Sequence, residues 1–166
     1  MKALLILMAV LIGSLFVIVL IGSILPKHHT ATRRMLLKAT PDQVFALISG
    51  PQDWRTDLKE HKFFEDGGRP MVRETDKHDQ TITYEIVESS PPNLLKRRIV
   101  DKNLPFGGSW TWNIQPQADG CSITIVEDGE VYNPVFRFVS RFIMGHTRTT
   151  DNYLAMLQQV VSRDQK

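Results

Sequence analysis

The chain has 166 residues, 42% hydrophobic and 23% charged, with a formal net charge of +2 and one cysteine. That length implies a single domain. The lone Cys121 excludes a disulfide-stapled scaffold, and three Trp with eight Phe exclude disorder in the body. The near-neutral balance excludes strong nucleic-acid binding by bulk charge.

The charges are unevenly placed. Residues 3–25, ALLILMAVLIGSLFVIVLIGSIL, carry none. As a helix the run spans about 34 Å, enough to cross a hydrocarbon core of about 30 Å. A cleaved signal peptide has a shorter apolar region and a small-x-small end. This run ends Ser23-Ile24-Leu25-Pro26, so an uncleaved anchor is expected, with the membrane as partner through residues 3–25. Lys2 alone precedes the run, whereas Lys27, Arg33, Arg34 and Lys38 follow it. That bias places a single-pass chain with its soluble domain on the cytoplasmic side. Residues 26–31, including His28-His29, read as a short linker. It reaches about 20 Å at most and holds residues 32–166 close to the bilayer.

The body opens with a short β-compatible segment at 32–39. Thr40-Pro41-Asp42-Gln43 then combines an N-cap, a first-turn proline and a capping box, with Val44, Phe45, Leu47 and Ile48 as the apolar face. Gly50-Pro51 ends that helix, and Pro51 is expected to start a second short one through Asp53, Trp54 and Leu58. From residue 60 the period changes to two. Strands are predicted at 61–65, 71–76, 81–88, 94–100, 109–115 and 121–131. Asn133-Pro134 repeats the helix-start signal. Val135, Phe138, Val139, Phe142 and Ile143 recur at helical spacing, Gly145 marks a break, and an amphipathic helix resumes over 147–161.

Strand, helices, six short-looped strands and a long C-terminal helix make an α+β chain with an antiparallel sheet. The long helix covers one face, and an apolar space between the two is a natural pocket. The stretch Leu104-Pro105-Phe106-Gly107-Gly108-Ser109-Trp110-Thr111-Trp112 carries a resemblance. So does Glu127-Asp128-Gly129-Glu130-Val131-Tyr132-Asn133-Pro134-Val135-Phe136-Arg137-Phe138. Both are similar to bacterial members of the SRPBCC superfamily: START-like, polyketide cyclase/dehydrase and lipid transport proteins. Ala39-Thr40-Pro41-Asp42-Gln43-Val44-Phe45 and Asp53-Trp54 look like that superfamily's first strand and helix pair. The resemblance covers about residues 32–162. It implies a helix-grip fold, a curved antiparallel sheet wrapped around the C-terminal helix, here preceded by one transmembrane helix.

Candidate chemistry is sparse. There is no phosphate loop, nucleophile elbow or zinc-type Cys/His cluster, so no catalytic residue, metal or cofactor is assigned. His61, His78 and His146 stand apart in sequence; a strand beside the short helices can aim His61 into the pocket. Cys121 has no partner to activate it and reads as a buried strand residue. Trp110, Trp112 and Ile114 share one strand face, as do Ile82, Tyr84 and Ile86. With Phe138 and Phe142 they are the expected cavity lining, although core packing fits the same pattern equally. Tyr84 is the candidate polar hook. Glu127, Asp128 and Glu130 are expected to pair with Arg137 and Arg141, and Lys96, Arg97 and Arg98 to form a solvated strand face.

The expectation is a membrane-tethered module that binds an apolar small molecule, lipid- or isoprenoid-like. A cyclase, dehydrase or hydrolase enzyme is the first alternative. The second is a protein-binding adaptor without ligand, using an exposed apolar patch on the sheet or near Phe63-Phe64.

Overall fold

A computed structural model describes residues 1–145 and 147–163. His146 lies outside the described residues.

Helix α1 (Lys2–Ile24) is apolar on every side and exposed along most of its length; it meets the domain at its C-terminal end, where Gly22 is its one buried residue. By length and composition it can cross a membrane. The chain then extends at Leu25 and enters strand β1 (His28–Leu37). The expected linker over 26–31 therefore shrinks to Pro26 and Lys27. Residues 28–31 read as polar linker in sequence, but backbone pairing makes no demand on side chains. His28 to Ala31 pair with Glu130 to Glu127, and the Val131 amide donates to the Lys27 carbonyl at 2.8 Å.

Helix α2 (Pro41–Ser49) begins with the capping box intact. The Gln43 amide donates to Thr40 Oγ1 at 3.3 Å, and the Thr40 amide to Gln43 Oε1 at 2.9 Å. The second short helix expected after Pro51 does not form; residues 51–57 make successive turns instead. Their side chains are used to close α2. Gln52 Nε2 donates to the Ile48 carbonyl at 2.8 Å and Trp54 Nε1 to the Leu47 carbonyl at 3.2 Å. These satisfy carbonyls that a helix end leaves free.

Six strands follow: β2 (Leu58–Asp66), β3 (Arg69–Asp76), β4 (Thr81–Ser90), β5 (Leu94–Ile99), β6 (Phe106–Gln117) and β7 (Gly120–Val131). With β1 they form one seven-stranded sheet in the order β1-β7-β6-β5-β4-β3-β2, antiparallel throughout. Irregularities in register at Leu58/Glu60 and Ile86/Glu88 add local bend. Gly108 cannot be replaced at the β6–β7 crossing: its φ is +129°, and a Cβ there would lie 2.2 Å from the Asp128 carbonyl oxygen.

Register sets the inner face. Met35, Ile123 and Ile114 line up across β1, β7 and β6, and Ile125, Trp112 and Leu95 across β7, β6 and β5. Val44, Phe45 and Ile48 of α2 join them, as do Tyr153, Leu154, Leu157 and Val161 of α4 (Arg148–Arg163). Each such aliphatic side chain contributes about 1.5–3 kcal/mol when fully buried.

The C-terminal helical region comes in pieces. Asn133 Oδ1 accepts from the Val135 and Phe136 amides and starts α3 (Pro134–Val139). A π-helical turn covers Ser140–Met144 and ends with the Gly145 amide donating to the Ser140 carbonyl. Gly145, at φ 74°, provides the break expected from sequence, and α4 follows.

Candidate functional site

Between the sheet and α4 lies a charged cluster. Arg97 on β5 is 2% exposed, the most enclosed charge among the described residues. Its Nη2 donates to the Ile48 carbonyl at 2.8 Å, and its Nη1 stands 3.4 Å from Glu74 Oε1 on β3. Glu74 Oε2 takes a second guanidinium, Arg55 Nη1, at 2.9 Å. Arg55 also grips Asp57 through Nε at 3.1 Å and Nη2 at 2.5 Å. Burial works against the Arg55 charge, but the Asp57 hydrogen bond and the Glu74 charge outweigh it and raise its pKa. Burial also pushes the Asp57 carboxyl up, yet Arg55 prevails and holds it below the usual range. Burial loosens the proton on Arg97, against the pull of Glu74.

His61 on β2 completes the cluster. Its side chain is 3% exposed, with Nε2 3.7 Å from Glu74 Oε1, and neither ring nitrogen has a hydrogen-bond partner. Burial lowers its pKa, and the Arg97 charge adds to that against Glu74. The imidazole is therefore neutral at pH 7.

Tyr153 on α4 joins this cluster to the aromatic residues. Its ring lies 5.4 Å from Trp54 and 5.9 Å from both Trp110 and Trp112. Arg55 sits over its face at 5.3 Å. Its hydroxyl lies beside Gln52 without completing a hydrogen bond of ordinary geometry, and burial raises its pKa. A cavity of about 140 Å³ opens on this hub, lined by Arg55, Asp57, Trp110, Thr149, Asn152, Tyr153 and Met156. Its walls are aromatic and thioether; its rim is polar.

The structure divides the expected lining residues. Trp110 lines the cavity. Trp112 and Ile114 are packed solid in the core, where Arg97 lies over the Trp112 ring at 5.5 Å. Ile82, Tyr84 and Ile86 are half-buried. Burial, with Glu74 adding to it, raises the Tyr84 pKa. Phe138 and Phe142 do not reach the cavity. They stack on each other at 4.9 Å on α3 and the π turn, and Phe142 is exposed. Helical spacing made them look inward, but α3 packs on α1 rather than under the sheet.

Three charge assignments also change. Arg97 is not on a solvated face; only its neighbour Arg98 is, paired with Glu85 at 2.7 Å. The inward position was readable, because Arg97 alternates with Leu95 and Ile99. Among the described residues Arg137 pairs with no acid: it donates to the Leu25 carbonyl at 2.8 Å and to those of Ser23 and Tyr132 at 3.4 Å. Glu127 faces the Thr150 hydroxyl at 3.3 Å and His29 Nε2 at 3.7 Å, and burial pushes its carboxyl up to about 7. Arg55, Glu74 and Tyr153 escaped sequence reasoning as site residues, because their convergence joins a turn, a strand and the last helix. His78 is an exposed turn residue, and Cys121 is a buried free thiol. Phe63 is exposed beside His61, whereas Phe64 is covered by Arg73 at 4.9 Å. Among the described residues no group of three or more His, Cys, Asp and Glu side chains is placed to hold a metal.

Among curated proteins, none matches the sequence significantly. Solved structures share the fold at low identity. A norcoclaurine synthase point mutant from Thalictrum flavum, in complex with a transition-state analogue, is 13% identical with a TM-score of 0.63; the match covers 84% of this chain and 97% of that one. A protein from Rhizobium leguminosarum is 15% identical with a TM-score of 0.63, covering 82% and 95%. A protein from Chromobacterium violaceum is 18% identical with a TM-score of 0.57, covering 80% and 96%. The model of the polyketide cyclase / dehydrase and lipid transport family matches residues 28–161. With the seven-stranded sheet gripping α4 already described, the chain belongs to that family, within the SRPBCC superfamily.

Proposed function

We propose that the protein is a membrane-tethered module that binds a small, largely apolar molecule between β6 and α4. The cavity walled by Trp110, Tyr153 and Met156 carries this reading. Its volume of about 140 Å³ is well below the 300–1,000 Å³ usual for drug-sized ligands. It suits a ring-sized group or the end of an acyl or isoprenoid chain rather than a whole lipid. Arg55, Thr149 and Asn152 at the rim offer donors to a polar end. The family's breadth, which includes lipid transport, supports the ligand class without naming the ligand.

Helix α1 supplies the tether. With only Leu25, Pro26 and Lys27 between α1 and β1, the domain works at its own bilayer and does not shuttle between membranes. A cytoplasmic domain follows from Lys27 and Lys38 against Lys2; Arg33 is engaged by Asp151 at 2.6 Å and counts for less. Native mass spectrometry of detergent-purified protein, with organic extraction, tests the binding. An exchangeable apolar molecule is expected. A domain that neither carries nor takes one up refutes the reading. Protease added to right-side-out vesicles should leave the domain uncut.

One observation favours an enzyme instead: the neutral, unpartnered His61 beside Glu74 has the makings of a proton acceptor. It does not line the cavity, and for that reason binding ranks first. A loaded molecule that emerges chemically altered from the wild type, and unaltered from His61→Asn, reverses the ranking.

A further inference from the structure

The segment that departs from the grip is α3 with its π turn. Phe136, Phe142, Ile143 and Met144 are 51%, 60%, 71% and 52% exposed. Four large apolar side chains on one short helical stretch stand mostly exposed, Phe142 meeting Phe138 of the same stretch, and need a partner.

The neighbouring element indicates which partner. Along α1, only Ile18 and Gly22, and Leu25 just beyond its end, are withdrawn from full exposure. Their spacing puts them on one stripe, and α3 is the element packed on α1. The approach is close: a Cβ at Gly22 would lie 1.9 Å from the Pro134 carbonyl oxygen. From Ile18 to Leu25 is about 10 Å along the helix axis. So α3 runs beside the last 10 Å or so of α1. The one charge on α3, Arg137, is buried and turned inward, its guanidinium held by the carbonyls at the end of α1. Arg141 and Lys27 are exposed close by.

We infer that α3 and the π turn are immersed in the domain-side leaflet of the same bilayer that α1 crosses, with Phe136, Phe142, Ile143 and Met144 among the acyl chains and Arg141 and Lys27 at the headgroups. The inference rests on α1 being a membrane span. If it is, α3 cannot stand in water without drawing the last turns of α1 out of the hydrocarbon. Immersion also removes the water-exposed apolar surface. Helical backbone with its hydrogen bonds made internally is compatible with that depth.

The full chain, reconstituted in phosphatidylcholine/phosphatidylglycerol nanodiscs, provides the test. An environment-sensitive fluorophore is attached at Ile143→Cys, at Ile12→Cys within α1, or at Ala118→Cys in the β6–β7 turn; the native Cys121 is buried. Some of the lipids carry a nitroxide quencher, placed either near the headgroup or near the chain end. The Ile143 probe should be quenched severalfold more by the headgroup-proximal nitroxide, the Ile12 probe more by the chain-end nitroxide, and the Ala118 probe by neither. Quenching at Ile12 with none at Ile143 overturns the inference and leaves the tether standing. So does an Ile143 probe shielded from water but unquenched, which would mean that protein covers the segment. Quenching at neither site overturns the inference and the tether together.

Discussion

Glu74 on β3 and Arg97 on β5 meet across the intervening strand β4, with Oε1 and Nη1 3.4 Å apart. Both are nearly enclosed, yet their situations differ. Glu74 holds two guanidinium groups, whereas Arg97 has no other carboxylate partner among the described residues. Glu74→Leu therefore strands the Arg97 charge and should cost about 3–5 kcal/mol, the range for breaking a buried pair from one side. Arg97→Met leaves Glu74 with Arg55 and should cost distinctly less. Urea unfolding of the full chain in mild detergent measures both; equal losses would show that the asymmetry is wrong.

Glu127 gives a pH dependence of defined sign. Its carboxyl, ordinarily near 4.5, is pushed up to about 7 in the fold by burial. The folded state holds that proton more tightly, so the stability tied to it is full below 4.5 and lost as the pH rises through 7. Glu127→Gln keeps an oxygen for the Thr150 hydroxyl and removes the titration. It should match the wild type at pH 4.5 and be more stable at pH 8 by about 3 kcal/mol. Paired denaturation curves at the two pH values decide this.

His61 acts in the opposite direction. Its folded pKa lies below the unfolded value of 6.5, chiefly through burial. Unfolded chains then take up the proton first, and stability drains away as the pH falls below 6.5. Replacing the ring by Leu should flatten that acid limb. A wild-type midpoint that does not move between pH 7 and pH 5.5, with Glu127→Gln as background, would count against a neutral buried imidazole.

The cavity can be closed from its exposed rim. Thr149 lies on the outer side of α4 and lines the cavity. Thr149→Trp should fill the space and abolish retention of an apolar molecule, while changing stability by no more than about 0.5 kcal/mol, as for surface substitutions in general. Undiminished retention in native mass spectra would place the ligand elsewhere.

What the sequence disclosed follows the range of the interactions. The Thr40 capping box, the Asn133-Pro134 start and the break at Gly145 are written within a few residues of one another, and all three are present. The alternation of Trp110, Trp112 and Ile114 fixed their face but not whether space lay behind them. That depends on how closely Tyr153 and Leu157 approach from the far end of the chain. Arg97 was misread because Lys96 and Arg98 made it one of a basic run; its partner Glu74 lies on another strand. For Arg137 the pattern points to nearby acids, whereas two of its three acceptors are carbonyls at the end of α1, remote in sequence. Main-chain acceptors leave no trace in side-chain pattern, which also explains why β1 was expected too late.

The Arg137 clamp on the end of α1, with three residues between that helix and β1, has a mechanical meaning. A flexible leash would let the domain tumble above the membrane. In the proposed tether, helix and domain would move as one lever. In a bilayer thinner than the proposed span, α1 would relieve the mismatch by tilting, and that tilt would pass to the sheet and its cavity. Membrane thickness would then set the angle at which the cavity mouth meets the lipid surface.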